Sequence, residues 1–544
     1  MTPASSLNVY NWWDLAGALP GITKLNGSGG IVNALRQTLR VLVFAFLLVF
    51  PVFMVCFTNG GGPAVSDPDV WWHLRAADWI AAHLAVPRFD TFSCPLALEQ
   101  SPAGGEKERP QRDPPAATTT GRDPSRQGTP WVDYSWAAQL VLGGFYKVLG
   151  LRGLVVYTAL LLFSTILAFH LLVRRMQKNL FLTAALTLAA TLGMLHMATP
   201  RPWLFSILFF VIELNVLLEA GQTARPRLLL LLVPLFCVWA NVHIQFTLGL
   251  LVLAVAVVEP LLARRLPLAW DGESAAISPR WLLLIFVLCC GATLLNPYHA
   301  GLYVTAVQLL SQTELWGVIS ELAAMPFRSL VHWTVLVAAL AGAAAIAARR
   351  PVRLLLVLLF PLAVYCSFRA RRDQWMVVLV GLSLVASMSR GLPLAQLRLT
   401  FREILAVAAT LAALVLGSLL TLDEDWLQSQ VAHWYPAQAV AVLRQGSYRG
   451  PLYNTYAWGG YLIFHYPEHF VCIDGRTLIH GSDRIVHSIE AHQHGEEDWR
   501  SDPELVAARL FILPRKDPIT YLLRLDARLE VVYEDAVAVV FVRK

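Results

Sequence analysis

Charge is scarce in this chain. Only 15% of its 544 residues are Asp, Glu, Lys or Arg, and 56% are hydrophobic. A soluble domain carries about a quarter charged residues. An ordinary soluble enzyme and a mainly disordered protein are both excluded. Cysteine is sparse as well: there are seven, with no C-x-x-C and no Cys/His cluster at zinc spacing. P-loop, G-x-S-x-G, H-E-x-x-H and kinase signatures are missing, so ATP-driven transport and serine hydrolysis have no support. No basic n-region leads into a short apolar core with an A-x-A site. The first apolar run is therefore expected to be a retained transmembrane helix, not a cleaved signal peptide. No repeat of solenoid period is found. The net charge of +6 fits the basic bias of cytoplasmic loops in a membrane protein, and no nucleic-acid partner is expected.

Long apolar runs are abundant. About 18 apolar residues cross a bilayer as a helix, and eleven spans are expected, at 37–58, 151–173, 180–198, 202–220, 226–240, 244–263, 281–296, 331–348, 352–366, 374–389 and 403–421. Several are short and must sit in thinned bilayer or inside protein. Alternate connections carry seventeen basic residues in one set, among them Arg36, Arg40, Arg174, Arg175, Arg264 and Arg265. The other set, counting short loops only, carries five: Arg201, Arg328, Arg369, Arg371 and Arg372. The positive-inside rule makes residues 1–36 a cytoplasmic segment and puts the 59–150 loop and the 422–544 tail outside. The expected fold is mainly α: a polytopic transmembrane helical bundle of about eleven spans over 37–421, with a C-terminal extracytoplasmic α/β domain over 422–544.

Within the first outside loop, Val70–Leu84 reads as an amphipathic helix. Trp72, Ala76, Trp79 and Ile80 share a face, which suggests a helix lying in the membrane interface. Residues 97–130, rich in Pro, Gly and Thr, read as a disordered insertion, and 131–149 as a second interfacial helix. In the tail, P-A-Q-A-V-A-V-L-R-Q and A-W-G-G-Y-L-I-F read as helices. P-L-Y-N, F-V-C-I-D and A-A-R-L-F-I-L-P read as strands, and the C-terminus as a hairpin about Glu534-Asp535. Cys94 and Cys472 lie outside the apolar runs, so a disulfide between them is open.

Chemistry-bearing residues cluster in the outside segments. Asp67 and Asp69 follow the first span; such carboxylates act as general bases or divalent-metal ligands, or cap the helix behind them. Asp90 could return towards Asp69 or hold a turn. Arg201, fixed between Pro200 and Pro202, suits a lipid phosphate. Arg369, Arg371 and Arg372 crowd one outside loop against the charge bias, for an anion or for membrane-edge snorkelling. Asn241 and His243 either contact substrate or satisfy a helix end. Glu314 and Glu321 share a face that substrate or solvent could meet. In C-I-D-G-R-T, Asp474 and Arg476 follow a strand where α/β domains place binding groups, or pair across a turn.

The pattern D-P-D-x-W-W-H-L, then F-D-T-F-S, P-W-V-D-Y-S-W, F-Y-K-V-L-G-L-R-G-L-V-V-Y and Y-N-T-Y-A-W-G-G-Y-L…D-G-R, resembles the GT-C superfamily of polytopic glycosyltransferases. The likeness is to bacterial members of the protein mannosyltransferase and aminoarabinose transferase type. It is clearest over 37–175. Where the family has an Asp-Glu pair this chain has Asp69-Val70, and the H-P-P that often follows the later aspartate is absent. The resemblance implies inverting sugar transfer from a polyprenyl-phosphate donor to an acceptor hydroxyl on a lipid, polysaccharide or protein. The reaction would occur on the outer face of the bacterial cytoplasmic (inner) membrane. Asp69 would be the base, with Asp67 and Asp90 assisting and a divalent metal held by Asp67 and Asp69. Arg201, Arg369, Arg371 and Arg372 would bind the donor phosphate; His73, Asn241, His243 and Glu321 would contact substrate. The rival reading is a non-catalytic membrane scaffold of an envelope- or polysaccharide-assembly complex; a transporter is weaker, since Glu213 and Glu259 are the few acids within runs.

Overall fold

The computed structural model describes residues 38–39, 41–47, 62–94, 129–265, 277–348, 353–388, 400–446, 448–495, 499–500 and 502–544. The 1–36 segment, most of the first expected span and nearly all of the 97–130 insertion lie outside these residues.

Ten of the eleven expected spans fall in described segments, and each is helical. After α1 (Asp69–His83) and α2 (Trp136–Leu149) come α3 (Leu151–Met176), α4 (Leu180–Met194), α5 (Trp203–Thr223), α6 (Leu232–Val242), α7 (Phe246–Ala263) and α8 (Pro279–Thr293). Then follow α9 (Gly301–Ser311), α10 (Leu330–Ala347), α11 (Leu354–Arg369), α12 (Trp375–Met388) and α13 (Phe401–Thr421). Five helices among the described residues are long and apolar enough to cross a membrane: Leu151–Met176, Leu180–Met197, Trp203–Thr223, Phe246–Ala263 and Leu330–Ala347. Others are apolar but shorter, such as Pro279–Thr293 and Leu354–Arg369. Trp239, Trp375, Phe210, Phe236 and Phe246 fill the core between these helices.

The tail adds α14 (Glu424–Trp434), α15 (Ala437–Gln445), β1 (Leu452–Asn454), α16 (Tyr456–His465), α17 (Ser482–His494), β2 (Leu510–Pro514), α18 (Pro518–Leu523), β3 (Leu529–Glu534) and β4 (Ala538–Arg543). The sheet order is β1-β2-β4-β3, with β1 parallel to β2 and the other pairs antiparallel. Both faces of its centre are covered. Leu510, Ile512 and Val540 pack into one core, and Phe511, Leu513, Val539 and Phe541 into another. That is why L-F-I-L runs apolar without alternation. The terminal hairpin turns at Asp535, whose Oδ1 accepts from the N–H of Val537 and of Ala538, each at 2.7 Å.

Two expectations need correction. F-V-C-I-D is not a sheet strand. Its Val471 forms an isolated bridge with Ser93, and the Cys472 N–H donates to Asn454 Oδ1 at 2.8 Å; β2 occupies the place beside β1. Nor is α1 a surface helix with one face on lipid. Trp71 and Trp72 are both buried, and Trp71 meets the rings of Tyr435, Tyr461, Phe464 and His465 from the tail. Burying such a ring stabilises by on the order of 2–3 kcal/mol, so α1 is held between α2 and α16.

Candidate active site

Asp67 and Asp69 stand at the start of α1. Asp67 Oδ1 accepts from the Asp69 N–H at 3.0 Å, so it does tie down the helix start. It also takes a cation: Arg201 Nε lies 2.9 Å from Oδ1 and 2.6 Å from Oδ2. Arg201 Nη1 reaches Asp69 Oδ2 at 2.7 Å and Glu321 Oε2 at 3.1 Å. Capping and charge pairing are thus served by the same acids. T-P-R-P-W holds Arg201 in place, its N–H donating to Thr199 O at 2.7 Å and its guanidinium stacking 4.7 Å from the Trp203 ring.

One guanidinium shared by three carboxylates leaves the cluster net negative. Burial, reinforced by Asp67 and Glu321 and opposed by Arg201, pushes Asp69 up to about 7. Burial works against the charge on Arg201, yet the three acids together raise its pKa well above the usual range. Burial, then Arg201 and His243, keep His73 neutral, well below its ordinary value. The Gln139 amide donates to Asp133 Oδ1 at 2.7 Å and faces His73 Nδ1 at 3.2 Å, which assigns the His73 proton to Nε2.

These groups border a cleft with about 990 Å³ of empty space, part of it open to solvent. Asp69, His73, Arg201, Glu321, Arg369 and Arg372 all line it. The Nε of Arg369 and the Nε of Arg372 are buried and have no hydrogen-bond partner among the described residues. Arg369 lies 3.5 Å over the Trp316 ring. A buried N–H without a partner costs free energy, and an anion is one group that would complete it. Leu309, Leu310, Leu315, Ile319 and Leu322 give the cleft an apolar wall. His243 also lines it, kept neutral at about 3 by burial and then Arg372; its Nδ1 is 2.8 Å from Ser206 Oγ.

Of the remaining expected residues, Arg201 borders the cleft and Arg371, Asn241, Asp90, Asp474 and Arg476 do not line it. Arg201 is on the acids rather than free for a phosphate. Arg371 turns away, its Nε donating to Ser320 O at 2.6 Å. Asn241 braces helices: its Oδ1 accepts from Trp136 Nε1 at 3.0 Å and its amide donates to Leu295 O at 2.9 Å. Asp90 does not join Asp69. Arg476 holds it instead, with Nη1 2.7 Å from Asp90 Oδ1 and Nη2 2.7 Å from Asp474 Oδ2. His480 Nε2 lies 2.9 Å from the same Asp474 oxygen. Despite burial, Arg476 and His480 hold the Asp474 carboxyl below the usual range. This clasp fastens the tail to the first loop. Arg476→Leu leaves two buried acids without their cation and is expected to destabilise by about 3–5 kcal/mol, read as a lowered thermal midpoint and as tail cleavage in limited proteolysis.

The sequence named Asp474 and Arg476 as the tail's binding residues; those that border the cleft are Tyr456, Gly475 and Thr477. The motif W-G-G-Y…D-G-R explains how they approach. A Cβ on Gly475 would lie 2.0 Å from Asp69 Oδ1, on Gly459 2.0 Å from Ile473 O, and on Gly460 2.4 Å from Pro68 O. Three glycines let α16 and the 471–477 loop close on the start of α1. The readable signal was the glycine pair beside aromatics.

Among the described residues no group of three or more His, Cys, Asp or Glu is arranged to hold a metal ion. Arg201 takes the cationic place between Asp67, Asp69 and Glu321. This arrangement does not fit a resident divalent ion, and no step is derived through one.

The chain is similar in structure to the Archaeoglobus fulgidus oligosaccharyltransferase. Its form tethered with an acceptor peptide containing the NVT sequon matches at TM-score 0.49 and 10% identity, over 87% of this chain and 69% of that one. The apo form matches at 0.49 and 11%, over the same shares. ArnT from Cupriavidus metallidurans bound to undecaprenyl phosphate matches at 0.43 and 13%, over 93% of this chain and 97% of that one. No protein-family model and no curated protein matches the sequence. Similarity at this level describes the outline of the chain, and the functional reading is built from the cleft's own residues.

Proposed function

We propose that the chain transfers a sugar, with inversion, from a polyprenyl-phosphate donor to an acceptor hydroxyl. The site would face the outside of the bacterial cytoplasmic membrane, with the N-terminus inside and the 422–544 domain outside. A lipid, a polysaccharide or a protein would carry the acceptor hydroxyl. One observation carries the reading. A single cleft is lined both by Asp69 and by two arginines, Arg369 and Arg372, whose buried Nε groups lack hydrogen-bond partners among the described residues.

In the proposed step the acceptor oxygen attacks the anomeric carbon as the bond from that carbon to the phosphate oxygen breaks. The acceptor proton passes to Asp69. Arg369 and Arg372 offset the charge gathering on the departing lipid phosphate. Arg201 positions Asp69 and Asp67. The apolar wall of Leu309, Leu310 and Leu315 takes the first isoprene units, and Tyr456 and Thr477 of the tail face the acceptor. The test is reconstitution of the full chain with a labelled polyprenyl-phosphate sugar. Release of polyprenyl phosphate with an inverted product is expected; an unchanged donor across a panel of sugars and acceptor hydroxyls would refute the reading.

Asp69 is active as a base only when ionised. With its pKa at about 7, turnover is expected to climb with pH and level off above that value. Glu321 helps to raise it, so Glu321→Gln is expected to move the rising limb to lower pH. A pH profile of kcat/KM checks both; a flat profile from pH 5 to 9 would count against Asp69 as the base.

A further inference from the structure

The seam between the first loop and the tail joins the segments that carry Cys94 and Cys472, both free thiols in this structure. Ser93 and Val471 form a parallel bridge, in which the Val471 N–H donates to Phe92 O at 3.3 Å and the Cys94 N–H donates to Val471 O at 2.9 Å. Carried one residue beyond this isolated bridge, the register would set Cys94 against Cys472. Paired strands run about 4.8 Å apart, within the roughly 4.4–6.8 Å that a disulfide spans between Cα atoms. A second observation agrees. The Cys472 thiol donates to Glu504 Oε2 at 2.6 Å, and Arg484 pairs with the same Glu504. Arg484 and Glu504 are also the charges that act most strongly on Cys94. The same ion pair thus acts on both thiols. The other described cysteines, Cys237, Cys289, Cys290 and Cys366, lie within apolar helices.

We infer that Cys94 and Cys472 are joined by a disulfide that locks the first loop to the C-terminal domain. The inference rests on the outer-face placement proposed above, because disulfides persist in oxidising compartments. The oxidant is an extracytoplasmic dithiol oxidase in its disulfide form. Cys94, half-buried, attacks one oxidant sulfur as its thiolate and releases the other as a thiolate. Cys472, buried, then attacks the Cys94 sulfur and frees the oxidant's second thiolate. Glu504 accepts the Cys472 proton in passing; the two protons end on the oxidant's two sulfurs, and one sulfur–sulfur bond replaces another. The bond would sit beside Ser93, whose Oγ accepts from Arg476 Nη2 at 3.0 Å. It would thus reinforce the Asp90–Arg476–Asp474 clasp and, through Gly475, the wall against Asp69.

The test uses the full chain in its membrane, quenched in acid, denatured and alkylated with N-ethylmaleimide before any reductant is added. A linked pair of peptides carrying Cys94 and Cys472 is expected, parted by dithiothreitol. Cys94→Ser should leave Cys472 open to alkylation, and Cys472→Ser should do the same for Cys94. Reduction should lower the thermal midpoint of the wild-type chain by about 5 °C and leave the double-serine variant unmoved. Sidedness is read separately from Leu525→Cys in the double-serine background, at a tail position 73% exposed, using an impermeant maleimide on intact cells. Free Cys94 and Cys472 with Leu525→Cys labelled from outside would overturn the bond and leave the outer-face reading standing. Free thiols with Leu525→Cys labelled only after the membrane is opened would overturn both.

Discussion

Asp69→Asn is expected to lower transfer by about 10²–10⁴-fold in a protein that still folds, inserts and binds donor. The substitution keeps the side chain's size and removes its basicity. Arg201 retains Asp67 at 2.6 Å and Glu321 at 3.1 Å, so the start of α1 stays anchored. Gly475 leaves room for the group as before. Asp67→Asn differs in kind, because Asp67 both ties the helix start and carries the closest contact to Arg201. That variant should lose expression as well as rate. The two are compared by initial rate against folded, detergent-extracted protein. A rate for Asp69→Asn within threefold of wild type would remove the base.

Replacing Arg369 and Arg372 together by alanine is the second large effect. A hydrogen bond to a charged group contributes about 1.5–3 kcal/mol. Two such bonds to one phosphate predict a loss of kcat/KM on the order of 10²–10⁴-fold. Charge on the leaving phosphate grows towards the transition state, so kcat falls along with donor affinity. Arg371→Ala is the matched control from the same loop. Its Nε meets Ser320 O, outside the cleft lining, and it should change the rate little. Equal losses in both variants, measured as kcat and KM for the donor, would turn the three arginines back into a membrane-edge charge cluster.

The helices were legible because their signal is local: each apolar run from 151 to 421 names its own helix. The tail hairpin and β2 were legible for the same reason. F-V-C-I-D misled because extended backbone with apolar residues reads as a strand whether or not a sheet has a place for it. Here Asn454 and Phe92, from two separate segments, take up its backbone groups. The site was legible in its inventory and not in its pairing. Asp69, Arg201, Glu321, Arg369 and Arg372 could be named from charge lying against the expected grain. That Arg201 would close on Asp67, 134 residues away, depends on how the helices pack. Of the two readings of Asp90, the turn holds, its Oδ1 accepting from the Phe92 N–H at 3.0 Å, and Arg476, 386 residues on, is the cation the fold delivers to it. Which tail residues would border the cleft was hidden, because glycine carries no side chain to announce a contact.

The central claim is that this cleft, which Asp69 also lines, holds a lipid phosphate on Arg369 and Arg372. Native mass spectrometry of the full chain with undecaprenyl phosphate in detergent tests it most directly. One bound lipid is expected on the wild type and on Asp69→Asn, and none at the same concentration when Arg369 and Arg372 are both alanine. Equal occupancy in all three proteins, or none in any, would contradict the account.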